Sequence, residues 1–291
     1  MKIAVTGAYG QLGGELCRKL PTETIPLDID QLDLTDDPAV EKVFAGLNPD
    51  AVINCAAYTQ VDRAETEAEA CRAVNLSAVE NLVRVCGVLN CPLVQISTDY
   101  VFCPGDGRPV PYTEQDTPSP RGVYSQTKYE GELAAAKHHK HLIVRTCGLY
   151  ARPSDETADN FVKTMLRLGQ SRDELQIVAD QHCTPSYVPH VARAIQFLLG
   201  VGLAEPAPWG IYHVTNRGAT TWYDFAAEIF RLAEIDIPMR RITTAKYDAP
   251  APRPEYSILD TRKYHLLGGP PMPTWKEALR EYFAEMSVGV S

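Results

Sequence analysis

No C-x-x-C pair occurs in this chain of 291 residues, and none of its eight cysteines stands with a histidine at zinc-ligand spacing. Several lie in apolar runs, such as Cys55 in AVINCAAY, so they read as buried free thiols of a reducing compartment, the cytoplasm. No metal site is expected. Apolar runs of the ~20 residues needed to span a bilayer are missing too. MKIAVTG leads straight into a strand, so no signal peptide is expected. Positive charge is scarce. A net charge of -9 argues against non-specific binding to nucleic acid or an anionic membrane, and there is no basic patch for a nucleic-acid module. Any anionic ligand must find a few Arg or Lys in one cleft. Internal repeats and low-complexity tracts are absent. What is present is 45% hydrophobic and 22% charged residues, enough to pack one large α/β domain, or a domain with a smaller lobe.

The first half alternates strand and helix patterns. Strands are expected at Lys2–Thr6, Thr24–Leu27, Ala51–Asn54, Pro92–Ser97 and His141–Arg145. Helices are expected at Gln11–Leu20, Pro38–Leu47, Glu65–Leu89 and Val123–Lys137. Repeated βα units imply a Rossmann-like, doubly wound parallel sheet covered on both faces. After Tyr150 the pattern loosens. Asn160–Leu168, Val188–Leu199 and Thr221–Leu232 read as helices, and Ile211–Val214 as a strand. The expected division is a nucleotide-binding domain over 1–155, with returns near 188–216, and a smaller substrate-binding lobe over 156–291.

GAYGQLG, with Gly7, Gly10 and Gly13, follows the first strand and opens a helix. Gly7 permits the tight turn, Gly10 lets backbone approach a pyrophosphate, and Gly13 lets the helix pack on the sheet. The helix N-terminus then offers N–H groups to phosphate. The spacing G-x-x-G-x-x-G differs from the commoner G-x-G-x-x-G. Asp28 ends the second strand, where a carboxylate accepts from ribose hydroxyls and repels a 2′-phosphate. No Arg follows it in LDIDQLDLTD. This favours NADH and leaves NADPH open. Asp33 and Leu34 are placed to flank an adenine. Ala57, Tyr58 and Thr59 follow the third strand, where a dinucleotide must cross the sheet edge.

Tyr124 and Lys128 form Y-x-x-x-K on one helix face. A nearby ammonium lowers a phenol pKa, so this pair is suited to deliver a proton to a carbonyl as hydride arrives at carbon. ISTDYVF ends the fourth strand and puts the Ser97 and Thr98 hydroxyls at the ligand-binding edge.

With GAYGQLG, INCAAYTQVDRAE, ISTDYVF, VYSQTKYEGE, VADQHCTPSYV, IYHVTNRGATTWYDFA and APAPRPEYSILDTRK, the chain resembles the dTDP-4-dehydrorhamnose reductase family of extended short-chain dehydrogenases over nearly its whole length. The resemblance implies NAD(P)H-dependent reduction at C4 of a dTDP-linked 4-keto-6-deoxy sugar to dTDP-L-rhamnose. It makes Tyr124 the acid, Lys128 the residue that tunes it and holds the nicotinamide ribose, and Thr98 the family's hydroxyl residue. Asp99 would sit beside the sugar, and Asn75 matches an asparagine that supports a proton relay in related enzymes. Cofactor contacts carry over to Gly10, Gln11, Leu12, Asp28, Asp33, Leu34, Ala57, Tyr58, Thr59 and Lys128. The substrate pyrophosphate needs cations; Arg253 is the first candidate, followed by Lys163 and Arg145. Asn160 and Phe161 open the lobe helix toward the substrate, and Trp222 packs its helix to the core.

Two departures from the family pattern stand out. Gly148 in RTCGLY replaces a tryptophan that packs against the sugar. Pro189 and His190 stand where some members carry a carboxylate that, with a partner of the Glu15 type, bridges a dimer through magnesium. No metal-bridged dimer is expected, and the chain is read as a monomer or weak homodimer. The departures keep two alternatives open: a reductase of another nucleotide-linked keto-sugar, and a non-catalytic NADP-binding regulatory subunit.

Overall fold

The computed structural model describes every residue except 21–22, 104–109, 156–158, 205 and 289–291. In chain order the first half runs β1 (Lys2–Thr6), α1 (Gln11–Lys19), β2 (Glu23–Leu27), α2 (Asp37–Leu47), β3 (Ala51–Asn54), α3 (Val61–Ala64), α4 (Ala68–Arg72), α5 (Ala78–Leu89), β4 (Leu93–Thr98), α6 (Val123–Ala135) and β5 (His141–Thr146). It continues with β6 (Leu149–Tyr150), α7 (Phe161–Ser171), β7 (Leu175–Val178), β8 (His182–Cys183), β9 (Ser186–Tyr187) and α8 (Val188–Gly202). The last part holds β10 (Gly210–His213), β11 (Thr220–Thr221), α9 (Trp222–Leu232), β12 (Met239–Ile242), α10 (Thr244–Tyr247), α11 (Arg262–Leu266) and α12 (Trp275–Val288).

Six parallel strands form the central sheet in the order β10-β5-β4-β3-β1-β2. The inner strands β3 and β4 are buried along their length, which explains their continuous apolar character. β2 carries Pro26, tolerated because this strand is at the sheet edge and pairs only with β1. On one face α1 and α8 pack through Leu12, Leu16, Val191, Ile195 and Leu198; on the other α2 and α5 pack through Val40, Phe44, Val79 and Leu82. Strand order reverses between β1 and β3, and the loops leaving those two strands open the crevice in which such sheets bind ligands. A second core joins α7, β7, α9 and α12 through Met165, Ile177, Phe225, Ile229, Leu279 and Tyr282.

The expected single helix over Glu65–Leu89 is broken. α4 runs into a wide π-type turn at Ala73–Ser77 before α5 begins. The cause is Asn75. Its Oδ1 accepts from the Tyr58 backbone N–H at 3.0 Å, and its Nδ2 donates to the Thr127 hydroxyl at 3.2 Å. Those bonds need the widened turn, a device common at functional sites. Sequence periodicity missed the paired strands β7 and β12 and the helix α12, whose burial depends on the lobe around them.

Candidate active site

Gly7 sits at φ +63°, and a Cβ there would lie 2.6 Å from the Ala56 backbone nitrogen. Only glycine allows β1 to turn into α1 beside the β3 loop. Gly13 likewise lies so close to Gly7 that a side chain would drive into its carbonyl. The Gly10 N–H donates to the Gly7 carbonyl at 3.1 Å and begins α1. The turn borders a cleft of about 960 Å³ that follows the sheet edge from β2 to α6. Gly7, Gly10, Gln11, Leu12, Gly13, Asp28, Asp33, Leu34, Ala57, Thr59, Thr98, Tyr124 and Lys128 all line it, with Gly148 and Asp159 at the lobe side. Its size is that of a small-molecule site.

Asp28 reaches back over the glycine turn. Its carboxylate accepts from the Tyr9 and Ile29 backbone N–H groups, each at 2.8 Å. Tyr58 is not among the lining residues. Its phenol donates to Glu67 at 2.6 Å, while its neighbours Ala57 and Thr59 border the cleft.

At the far end of the cleft β4 and α6 meet. The Thr98 hydroxyl and the Tyr124 phenol both face this end of the cleft, near enough for Thr98 to act on the phenol. The Thr98 hydroxyl accepts from the Tyr100 N–H at 3.2 Å and donates to Asp99 at 3.2 Å. Burial pushes the Tyr124 phenol well above its ordinary value; Thr98 works against that rise and Asp99 adds to it. The expectation that the Lys128 ammonium lowers this phenol is corrected. Lys128 Nζ donates to the Ile96 carbonyl at 2.7 Å, and the desolvation of the phenol outweighs the lowering effect of Thr98. Lys128 itself is pushed down to about 8 by burial, against the raising effect of Glu132. The phenol therefore stays protonated at neutral pH, the state a proton donor requires.

Asp99 is 2% exposed and does not line the cleft. Its carboxylate accepts from the Ser257 hydroxyl, and burial raises its pKa while that bond lowers it. Asp99 thus stands behind Thr98. Asn160 caps α7 by accepting from the Lys163 N–H at 3.1 Å, and its Nδ2 donates to Gln11 at 3.2 Å. Gln11 also accepts from the Ala151 N–H at 2.8 Å, which joins the glycine turn to the lobe. Arg253 is gripped by Asp62 through two hydrogen bonds of 2.9 and 2.8 Å. Lys163 donates to the Asp155 carbonyl.

Arg145 is corrected as a phosphate candidate. It is 1% exposed, and its guanidinium donates to both oxygens of Glu132 at 2.9 and 2.6 Å. Ser97 joins this pair, donating to Glu132 at 2.5 Å. Glu132 was missed by sequence reading, although its place four residues after Lys128 was a visible signal. Also missed was a polar ladder across the strand ends: Thr6 donates to Asn54 at 2.6 Å and Asn54 to Gln95 at 2.8 Å.

Gly148 lies at φ +50°, and a Cβ there would stand 3.1 Å from the Trp222 ring and 3.3 Å from Pro185. Trp222 packs at a tilt against Phe161 at 4.7 Å between ring centres, so it packs the lobe core and also backs the glycine. Glu15, completely buried, is taken by Arg152 and Arg18. Among the described residues no cluster of three His, Cys, Asp or Glu is arranged to hold a metal ion.

Comparison with known proteins gives consistent results. A family model described as the RmlD substrate binding domain matches residues 1–288. A dTDP-4-dehydrorhamnose reductase of Streptomyces griseus is 41% identical over 285 residues, covering 96% of this chain and 92% of its own. A probable dTDP-4,6-dihydroxy-2-methyloxan-3-one 4-ketoreductase of Streptomyces antibioticus is 40% identical, covering 98% and 96%. The crystal structure of a Bacillus anthracis dTDP-4-dehydrorhamnose reductase in complex with NADP is 38% identical and superposes with a TM-score of 0.91, covering 98% of this chain and 99% of that one.

Proposed function

Because the chain belongs to the RmlD substrate binding domain family, we propose that it is the NAD(P)H-dependent reductase of the C4 keto group of dTDP-4-dehydro-L-rhamnose, yielding dTDP-L-rhamnose. The observation that carries this reading is the convergence of Thr98, Tyr124 and Lys128 at the end of a cleft that begins in the glycine turn. The cofactor fits that cleft: Gly10, where an added Cβ would meet only the Gly7 carbonyl, and the N-terminus of α1 border it, so backbone N–H groups face its phosphates. Gln11 and Leu12 follow Gly10, Asp28 takes the ribose hydroxyls, and Asp33 and Leu34 flank the adenine. Ala57, Tyr58 and Thr59 contribute the segment across the sheet edge. When bound, the reduced nicotinamide supplies the hydride.

The rest of the chemistry falls to the chain's own side chains. Thr98 turns its hydroxyl proton from Asp99 to the C4 carbonyl oxygen and so orients it. Tyr124 gives its phenolic proton to that oxygen, and Lys128 holds the nicotinamide ribose beside it. Asp99 steadies Thr98. On the lobe side Asn160 and Arg253 bind the nucleotide end, with Arg253 exchanging the Asp62 carboxylate for a phosphate. None of the described helices is long and apolar enough to cross a membrane. All eight cysteines are free, which fits work in the cytoplasm. The chain acts as a monomer or weak homodimer. The Glu15 carboxylate, neutralised by two arginines, is not offered to a bridging metal.

Gly148 favours a second reading, reduction of a different dTDP-linked keto-sugar, because the wall beside the sugar lacks a side chain there. The assay that separates the two mixes purified protein, NADH or NADPH, and a panel of dTDP-4-keto sugars, and follows loss of reduced-nicotinamide absorbance. Turnover of the rhamnose precursor supports the first reading. Turnover of another sugar alone supports the second. Tight cofactor binding with no turnover of any sugar rejects both in favour of a regulatory subunit.

A further inference from the structure

Beneath the catalytic pair lies a row of buried polar groups that the reaction as described does not use. Strand register places Ser97, Arg145 and His213 side by side on β4, β5 and β10. Glu132 comes down onto this row from α6. It accepts from Ser97 at 2.5 Å and from Arg145 Nε and Nη2 at 2.9 and 2.6 Å. Both members of the ion pair are nearly inaccessible, at 1% and 2% exposure. His213 donates from Nδ1 to the Tyr112 carbonyl at 3.1 Å and accepts from Arg145 on Nε2 at 3.4 Å, an arrangement of a neutral imidazole. Burial agrees, holding it down at about 3.

A buried pair of this kind is a poor means of gaining stability, since desolvation consumes most of its attraction. Its placement suggests another use. Glu132 lies one helical turn beyond Lys128 on the same face of α6, and Ser97, which fixes it, stands between Ile96 and Thr98. The Ile96 carbonyl accepts from Lys128 Nζ. Three successive residues of β4 thus set the lysine, the carboxylate and the catalytic hydroxyl in one frame. We propose that Glu132 is a positioning residue: clamped by Arg145 and Ser97, it holds a fixed negative charge beside Lys128 and keeps that lysine an ammonium within a buried site. The inference rests on the reading of Lys128 given above.

Among the described residues, Lys128 is acted on by Glu132, with the Arg145 cation of β5 paired to it, and by two thiols. Glu132 comes from its own helix, Cys55 from the loop after β3, and Cys71 from α4. Asp99, on the turn after β4, acts on Tyr124 instead. Both thiols are raised by burial and stay neutral. Glu132 is then the permanent negative charge of the group. Without it only the Ile96 carbonyl is left to oppose the loss of the lysine proton that burial promotes.

The test is the pH profile of Glu132→Gln, read in two ways: as kcat with the keto-sugar, and as NADPH affinity from nicotinamide fluorescence. In both, the alkaline limb should move down by about one pH unit, a tenfold change in the lysine's proton affinity. KM for the sugar should stay within about threefold. Glu132→Asp, which keeps the charge, should restore the wild-type limb. An unchanged limb in Glu132→Gln, with only a lowered Tm, would show a purely structural pair and overturn the inference. Should Glu132→Gln fail to fold around an unpaired Arg145, the double variant E132Q/R145M removes both charges. It should move the limb the same way by a smaller amount, because the arginine's opposing charge goes with the carboxylate, and a wild-type limb there overturns the inference equally. Lys128→Met separates the two levels. If that variant keeps the alkaline limb of NADPH binding, the reading of Lys128 fails. If it loses the limb and Glu132→Gln does not move it, only the role of Glu132 fails.

Discussion

In the proposed reaction Tyr124 is the acid, and where it lies suits it to that role. Desolvation keeps the proton on its phenol, and Thr98 supplies the partner that eases its departure. Tyr124→Phe removes the proton and leaves the ring, so kcat should fall by roughly 10²–10⁴, with cofactor affinity within a few-fold by fluorescence titration. Turnover like that of the wild type would sink the proton-donor role. At the other end of the cleft, Asp28 is held by two backbone N–H groups, so its charge has a fixed direction. It should penalise a 2′-phosphate. Asp28→Ser should raise the NADPH-over-NADH ratio of kcat/KM by about tenfold, equivalent to ~1.4 kcal/mol. An unmoved ratio would show that this carboxylate does not face the ribose.

At the scale of elements, helix α6 supplies most of the groups of the proposed reaction. Tyr124, Lys128 and Glu132 follow one another at intervals of four, so a single helix face carries donor, cation and counter-charge. The strap around Ala251–Arg253 acts from outside. Asp62 on α3 holds it through the Ala251 N–H and the Arg253 guanidinium, and Pro252 packs on Gly122 at the start of α6. A substrate phosphate must compete with Asp62 for that guanidinium. Arg253→Ala should raise KM for the nucleotide-sugar about tenfold or more, the loss of a charge-assisted contact being ~1.5–3 kcal/mol. KM for the cofactor should not change. Equal rises in both would move Arg253 out of the substrate site. The π-type turn at Asn75 was illegible because a side-chain bond to Tyr58, seventeen residues away, decides it.

At the scale of the whole molecule, sheet and lobe are tied by a few polar contacts. Gln11 bonds Ala151 and Asn160, and Glu15 on α1 bonds Arg152, which in turn bonds Glu285 on α12. Burial pushes the Glu15 carboxyl up, but Arg152 and Arg18 together hold it below its ordinary range. A carboxyl depressed on folding adds stability above its unfolded pKa, near 4.5, and loses it as pH falls through the folded value. Glu15→Gln should therefore cost ~3 kcal/mol in urea unfolding at neutral pH, the scale of breaking a buried pair. The difference from wild type should shrink below about pH 4. A cost independent of pH would point to packing and not to the charge.

Local spacing was enough for much of this protein. Glycines after a first strand, a Tyr–Lys pair four apart and hydroxyls at a strand end report chemistry that neighbours along the chain can build, so the sheet class, the cleft and the Thr98, Tyr124 and Lys128 trio were legible. Other features depend on which strands lie side by side, and spacing along one strand carries no record of that. Pairing of β4 with β5 turned Arg145 from a phosphate candidate into the buried partner of Glu132. Long-range packing brought Trp222 behind Gly148, Asp62 onto Arg253 and Asn75 into the β3 loop. The sequence by itself determined which groups could react. The tertiary structure alone decided which charges face them, because a buried charge takes its properties from neighbours that only folding brings within a few ångströms.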